Sequence, residues 1–341
     1  MGYTVATIGA LVANGAEVHV IHWDKKKLTP YRADQCPGVF FYPRSLYGVK
    51  EMRSLLDSLN PVLIVVSGWM DEGYLAVAKT ARSLRLPVVT CLDNQWRGTA
   101  RQWLAAFGGH VGYFSQYFSH AWVSGVLQFE YARRIGFSVD HIVFDFYSGD
   151  QASFSSAYRR VRDSKFANYP KIFLFVGRLE KVKGIDLLVD AWRMLRRDRN
   201  GWDLCLVGNG SLESSLRSEQ SLSVLPFMQP KEVVTLVEKA GCFVLPSRRE
   251  PWGVVLHEFA AGGLPLIATD VVGAAKQFLI PGFNGLLVKP NDVEALALAM
   301  KAMMECRDPD LAMMGDRSNQ LSMRITPETS AANLLSVRER V

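Results

Sequence analysis

Short apolar segments rich in Val, Ile, Leu and Phe alternate with stretches of helical period along the whole chain. That alternation predicts parallel sheets covered by helices on both faces, an α/β class with doubly wound sheets. In the first half a helix-like segment, Tyr3 to Asn14, precedes strands expected at Glu17–His22, Val39–Tyr42, Pro61–Ser67, Pro87–Leu92, His120–Val123 and His141–Phe144. The second half opens on Lys171–Val176, followed by an amphipathic helix from about Gly184 to Arg197. Strands then recur at Asp203–Val207, Ser221–Leu225, Cys242–Leu245, Leu264–Ala268 and Gly285–Val288. Between the halves, Gly149 to Tyr169 is rich in Ser, Asp and Arg without an apolar period and reads as a linker. The expected organisation is a domain over 1–150, a linker over 151–169, a second domain over 170–325 and a separate final helix over 326–341. In such sheets ligands bind outside the carboxyl ends of the strands.

A chain of 341 residues exceeds what one core organises, which supports two domains. The charge is uneven: residues 1–168 carry 18 Lys+Arg against 13 Asp+Glu, net +5, leaving 21 against 20, net +1, for the rest. The basic clusters Lys25–Lys27, Arg133–Arg134 and Arg159, Arg160 and Arg162 suit an anionic surface such as a bilayer leaflet or a phosphorylated acceptor, and equally suit plain solvation. Aromatic residues are not interleaved with them, which argues against nucleic acid. No apolar run approaches the roughly 20 residues that span a bilayer, and no basic region precedes an apolar stretch at the N-terminus, so the expected location is the cytoplasm or the inner face of the membrane. Cys36, Cys91, Cys205, Cys242 and Cys306 form no C-x-x-C pair and are expected to be buried free thiols rather than disulfides or zinc ligands.

The loops after the second-half strands hold the chemistry. Val176 to Gly184 is a glycine turn at Gly177 that sets Arg178 and Lys183 near a helix start, a fit for a diphosphate. Gly208-Asn209-Gly210, before a helix expected to start at Ser211, is a weaker signal. The strongest is Leu245 to Glu258, where a buried strand ends in a Pro-Ser turn carrying Glu250 and a helix begins at Gly253. The N–H groups of Gly253, Val254 and Val255 favour an anion, with Glu258 a turn further in. Carboxylates accept from vicinal hydroxyls, so one acid before the anion site and one behind it suit a sugar and a ribose. Taken singly, each reads as a solvated helix-end acid. The only D-x-D, Asp308-Pro309-Asp310, lies between helices and reads as a turn, leaving no metal site.

With these residues in place, the second half resembles the catalytic half of the family 4 retaining glycosyltransferases of GT-B fold. The matching stretches are Val176–Leu188, Leu206–Leu216, Leu245–Gly263 with its E-x7-E spacing, and Pro265–Asp292. The resemblance implies two Rossmann-like domains and a nucleotide-diphospho-sugar donor with a UDP, GDP or ADP base. It also implies retention; Arg178 and Lys183 do what a metal would otherwise do, so no divalent ion is expected, and the basic first half points to a hydroxyl of a saccharide or lipid-linked glycan as the acceptor. By the same resemblance Glu250 contacts donor-sugar hydroxyls, Glu258 the ribose, and Arg178 and Lys183 the diphosphate. Main chain near Phe227 and Met228 meets the base, and the final helix joins the N-terminal domain. The departures from the family pattern are a missing opening strand, Asp93 where a His is usual, and Lys276 where a Glu is usual. Asp93 is the candidate for assisting the acceptor. A non-catalytic sugar-nucleotide-binding subunit and a GT-B epimerase stay open as alternatives, whereas a dinucleotide oxidoreductase is disfavoured because no G-x-G-x-x-G follows a strand.

Overall fold

The computed structural model describes residues 2–24, 37–219 and 222–340. Lys25–Lys27, Cys36 and Ser221 lie outside the described residues. The chain forms two compact units, residues 3–148 with 327–341, and residues 149–326.

The first unit begins with α1 (Gly2–Ala13) and a parallel pair, β1 (Val18–His22) and β2 (Val39–Pro43). A four-stranded parallel sheet follows in the order β3-β4-β5-β6, from β3 (Ile64–Val66), β4 (Val88–Leu92), β5 (His120–Val123) and β6 (Ile142–Val143). Its connecting helices are α2 (Val49–Leu59), α3 (Glu72–Ser83), α4 (Ala100–His110) and α5 (Val126–Arg134). β4 and β5 are buried at every position, as central parallel strands must be when helices cover both faces. One core cluster lies between this sheet and its helices, around Val88, Phe118, Tyr131 and Ile135. A second holds Leu11, Val89 and Trp122 together with Ala331, Leu334 and Val337 of the final segment.

The second unit holds six parallel strands in the order β12-β11-β10-β7-β8-β9. These are β7 (Ile172–Val176), β8 (Asp203–Val207), β9 (Ser223–Leu225), β10 (Cys242–Leu245), β11 (Leu266–Thr269) and β12 (Gly285–Val288). From β7 the chain winds outward through β8 and β9, then returns to the other side of β7 for β10, β11 and β12. The reversal makes the switch point between β7 and β10, where a doubly wound sheet opens a crevice at its carboxyl ends.

The helices of this unit are α6 (Gln151–Ala167), α7 (Ile185–Met194), α8 (Glu213–Arg217), α9 (Pro230–Val233), α10 (Leu236–Lys239), α11 (Val254–Ala261), α12 (Ala275–Phe278), α13 (Val293–Glu305) and α14 (Asp308–Ser322). The final helix, α15 (Pro327–Leu335), belongs to the first unit.

Three expectations are corrected. Residues 151–169 are not a linker, because 151–167 form α6, capped by the Asp150 carboxylate accepting from the Ser153 N–H at 3.3 Å. Its buried face mixes Gln151, Ser155 and Lys165 with Phe154, Ala157 and Tyr158, so no apolar period marks it. Tyr158 and Arg162 both donate to Asp316, at 2.7 Å and 2.6 Å, tying α6 to α14. Secondly, Asp308-Pro309-Asp310 is the first turn of α14 rather than a turn between helices, with proline where a helix tolerates it and both acids at the positive end of the dipole. Thirdly, α8 begins at Glu213 rather than Ser211, whose hydroxyl donates instead to Glu180 at 2.6 Å. Of the cysteines, Cys91, Cys205 and Cys242 are buried free thiols, while Cys306 is only half-buried.

Candidate active site

The loop after β7 carries Gly177, exposed Arg178 and a short 3-10 turn over Lys181–Lys183. Gly184 ends that turn at φ 72, and a Cβ there would lie 2.0 Å from the Pro246 carbonyl oxygen. Only glycine permits this approach, which sets the loop after β7 directly against the loop after β10. Arg248 fastens the two. Its N–H donates to the Val182 carbonyl at 3.0 Å, and its guanidinium donates to Asp186 at 3.0 Å and to Asn291 at 2.6 Å. Burial alone would raise the Asp186 carboxyl, yet the bonds and charge of Arg248 hold it below the usual range.

Across this junction the Lys183 ammonium donates to Glu250, the two side chains being only 18% and 9% exposed. The Ser247 hydroxyl donates to the same carboxylate oxygen at 3.1 Å, and Thr269 donates to the Ser247 carbonyl at 2.6 Å. The backbone of Glu250 is fixed as well, accepting from the Gly273 N–H at 3.3 Å and bridging Val272. An acid held by a cation, a hydroxyl and its own main chain is pre-oriented for recognition.

Gly253, in the left-handed region at φ 92, caps α11, and Val254 and Val255 follow as half-buried residues of its first turn. Glu258 lies on the same helix beside Gly149 and Asp150. Burial and then the Asp150 charge push its carboxyl up to about 7. His257, which no sequence motif singles out, is fully buried, its ring stacked on Phe278 at 4.0 Å and its Nε2 2.9 Å from the Ser322 carbonyl oxygen. Burial holds it neutral, down to about 4.

Gly208 and Gly210 frame the loop after β8, whose Asn209 carbonyl accepts from the Leu179 N–H at 2.9 Å. The Asn209 side chain accepts from the Phe227 N–H at 2.9 Å, placing half-buried Met228 next to that loop. The structure therefore gathers the loops bearing Gly177, Arg178, Lys183, Gly208, Gly210, Met228, Glu250 and Gly253 along the carboxyl ends of β7, β8, β9 and β10. Lys276 is exposed.

Asp93 follows β4 in the first unit, where its carboxylate accepts from Tyr147 at 3.2 Å and its carbonyl accepts from Gln128 at 3.0 Å. The same unit holds a cleft of about 690 Å³ lined by Trp23, Arg44, Asp71, Glu72 and Tyr74 among others. There Arg44 lies over the Trp23 and Tyr74 rings, 5.5 Å from each, and pairs with Asp71 at 3.2 Å. Nothing in the sequence pattern singled these residues out.

Residues 159–320 match the family of glycosyl transferases group 1. The overall fold is similar to sucrose-phosphate synthase from Thermosynechococcus elongatus, with TM-score 0.73 and 18% identity over 99% of this chain and 92% of that one. It is also similar to HepE from Anabaena solved in complex with UDP, with TM-score 0.69 and 16% identity over 89% of this chain and 86% of that one. The fold is thus of the GT-B class, with two Rossmann-like domains. In sequence the chain is 32% identical to glycogen synthase of Mycobacterium tuberculosis over 186 residues, which make up 52% of this chain and 42% of that protein. It is 31% identical to D-inositol 3-phosphate glycosyltransferase of Pseudarthrobacter chlorophenolicus over 169 residues, 46% of this chain and 40% of that protein. The chain thus spans less than half the length of these curated relatives.

Proposed function

We propose that this chain is a retaining glycosyltransferase of the family 4 kind. It would move a sugar from a nucleotide-diphospho-sugar to a hydroxyl of a saccharide or lipid-linked glycan. The observation that carries the reading is the Lys183–Glu250 pair at the switch point between β7 and β10, with Arg178 on the same loop as Lys183. Supporting it, one solved protein of the same fold is described as a complex with UDP-glucose.

Breaking the bond from the anomeric carbon to the diphosphate places negative charge on the leaving phosphate and positive charge on the ring. Arg178, Lys183 and the α11 N–H groups at Gly253, Val254 and Val255 stabilise the first, a preorganised set that acts without a divalent ion. Glu250 accepts from donor-sugar hydroxyls and Glu258 from the ribose. Gly177, Gly208 and Gly210 shape the loops around the nucleotide, and main chain near Met228 meets the base. The acceptor hydroxyl attacks from the leaving-group face, with Asp93 as the candidate to take its proton.

The test is nucleotide release from UDP-, GDP- and ADP-glucose, with and without saccharide and lipid-linked acceptors, in the presence of EDTA. Acceptor-dependent release that survives EDTA is the expected result. Binding of the donor without acceptor-dependent release would instead identify a non-catalytic nucleotide-sugar-binding subunit.

A further inference from the structure

On an ordinary surface helix the face turned from the core is polar. Helix α4 departs from that rule. Its inward side is formed by Ala105, Ala106 and Gly109, and a Cβ at Gly109 would lie 1.9 Å from the Ile135 carbonyl oxygen, so the helix is pressed onto the end of α5 there. The opposite side carries Trp103, Leu104 and Phe107, with Val111 at the C-cap, and these are 59%, 72%, 71% and 67% exposed. At 100° per residue the four fall within an arc of about 100°. They therefore form one continuous apolar strip, which the exposed Met70 and Tyr113 extend.

The rim of the strip is basic. Exposed Arg97 precedes α4, and Arg101 on its flank donates to the Met70 sulfur at 3.1 Å. Arg134 lies over the Trp96 ring, 4.9 Å from its centre, and that ring meets Trp103 edge-on at 5.1 Å. No acidic residue occurs between Asp93 and Glu130. A face of Trp, Leu, Phe and Val with an arginine rim and no nearby carboxylate on its own segment complements the headgroup boundary of an anionic bilayer.

We infer that the outward face of α4 is a membrane-docking surface. Trp103, Leu104, Phe107 and Val111 enter the acyl boundary, while Arg97, Arg101 and Arg134 meet lipid phosphates. Among the described residues no helix is long and apolar enough to cross a membrane, so the contact is peripheral. The inference adds to the proposed donor chemistry and does not draw on it.

The full chain should sediment with vesicles of phosphatidylcholine containing phosphatidylglycerol, weakly with phosphatidylcholine alone, and less as salt rises. The double variant Leu104→Glu with Phe107→Glu should lose at least about tenfold in vesicle affinity while keeping its circular dichroism and its thermal stabilisation by UDP. Should that variant not fold, Arg97→Gln with Arg101→Gln leaves the apolar strip intact and is expected to weaken binding about fivefold per charge. Unchanged partition in either folded variant overturns the inference. So does a wild-type dimer that the Glu variant converts to monomer without any vesicle binding, because a second copy would then be the occupant. Loss of UDP stabilisation with vesicle binding intact would count against the donor reading alone.

Discussion

In the second unit Phe173, Phe175, Phe243 and Phe259 are fully buried beside a six-stranded sheet, and among its described residues Phe283 is the markedly exposed aromatic. The first unit, with a four-stranded sheet, leaves Trp23, Phe40, Phe41, Trp103, Phe107 and Tyr113 open to solvent. At the second sheet's strand ends Lys183 and Ser247 both donate to Glu250, and Arg248 donates to Asp186. One unit is a closed frame that fixes charges in place. The other presents apolar surface with nothing among the described residues to cover it, which suits recognition of something larger than a nucleotide.

The sharpest break of this contrast is at the switch point. Under the proposed reading, Glu250→Gln and Lys183→Ala should each lower kcat/KM for sugar transfer by about 10²- to 10³-fold with the circular dichroism unchanged, since each would remove a preorganised partner of the donor. Wild-type turnover in either would detach the frame from catalysis. Next comes Glu258, which keeps its proton up to about 7 when folded against 4.5 as a free side chain. The folded state thus binds more protons between those values, and stability falls as pH rises through that window. Glu258→Gln should therefore gain on the wild type from about pH 4.5 to 7 and level off above, reaching as much as about 3 kcal/mol in denaturant unfolding. A pH-independent difference would show that the carboxyl is not the group responsible.

A smaller effect is expected at Gly184→Ala, where a left-handed backbone and the Pro246 carbonyl oppose any Cβ. A loss of about 2 kcal/mol, together with a raised KM for the donor, would show that contact between the two loops holds Lys183 in place. Smallest of all, Phe107→Ser in the first unit should shift stability by no more than about 0.5 kcal/mol, because the ring is already in water. A large loss there would mean that the strip on α4 belongs to the fold after all.

The same contrast governs what the sequence discloses. The strands of the second sheet are buried throughout, so they stand out as apolar runs, and the residues at their ends sit in turns marked by Gly, Pro and Ser. That is why Gly177, Lys183, Glu250 and Gly253 stand out in the sequence as candidates at strand ends, where the structure places them. Helix α6 does not stand out, because Lys165 within it, like Tyr169 just beyond it, satisfies its polar end on a buried carbonyl, that of Ala240 at 2.9 Å and of Gly241 at 2.7 Å, and so hides a polar residue in a core. Burial holds the Lys165 ammonium down to about 7, which no spacing rule anticipates. The fastening role of Arg248 was equally invisible, since its partners Asp186 and Asn291 are distant in sequence. In the first unit the exposed face of α4 is hidden in the sequence, because an apolar strip has the pattern of a core face while Ala105, Ala106 and Gly109 already occupy the inward side.

The pair formed by Lys183 and Glu250 has one more consequence. Because the carboxylate already engages the ammonium, a ligand that takes Lys183 as its partner must first break that ion pair. Breaking it leaves the glutamate without its cation unless the ligand also supplies hydroxyl donors to that carboxylate. Under the proposed donor reading, the pair would favour a molecule that carries phosphate and sugar hydroxyls on one frame over phosphate alone.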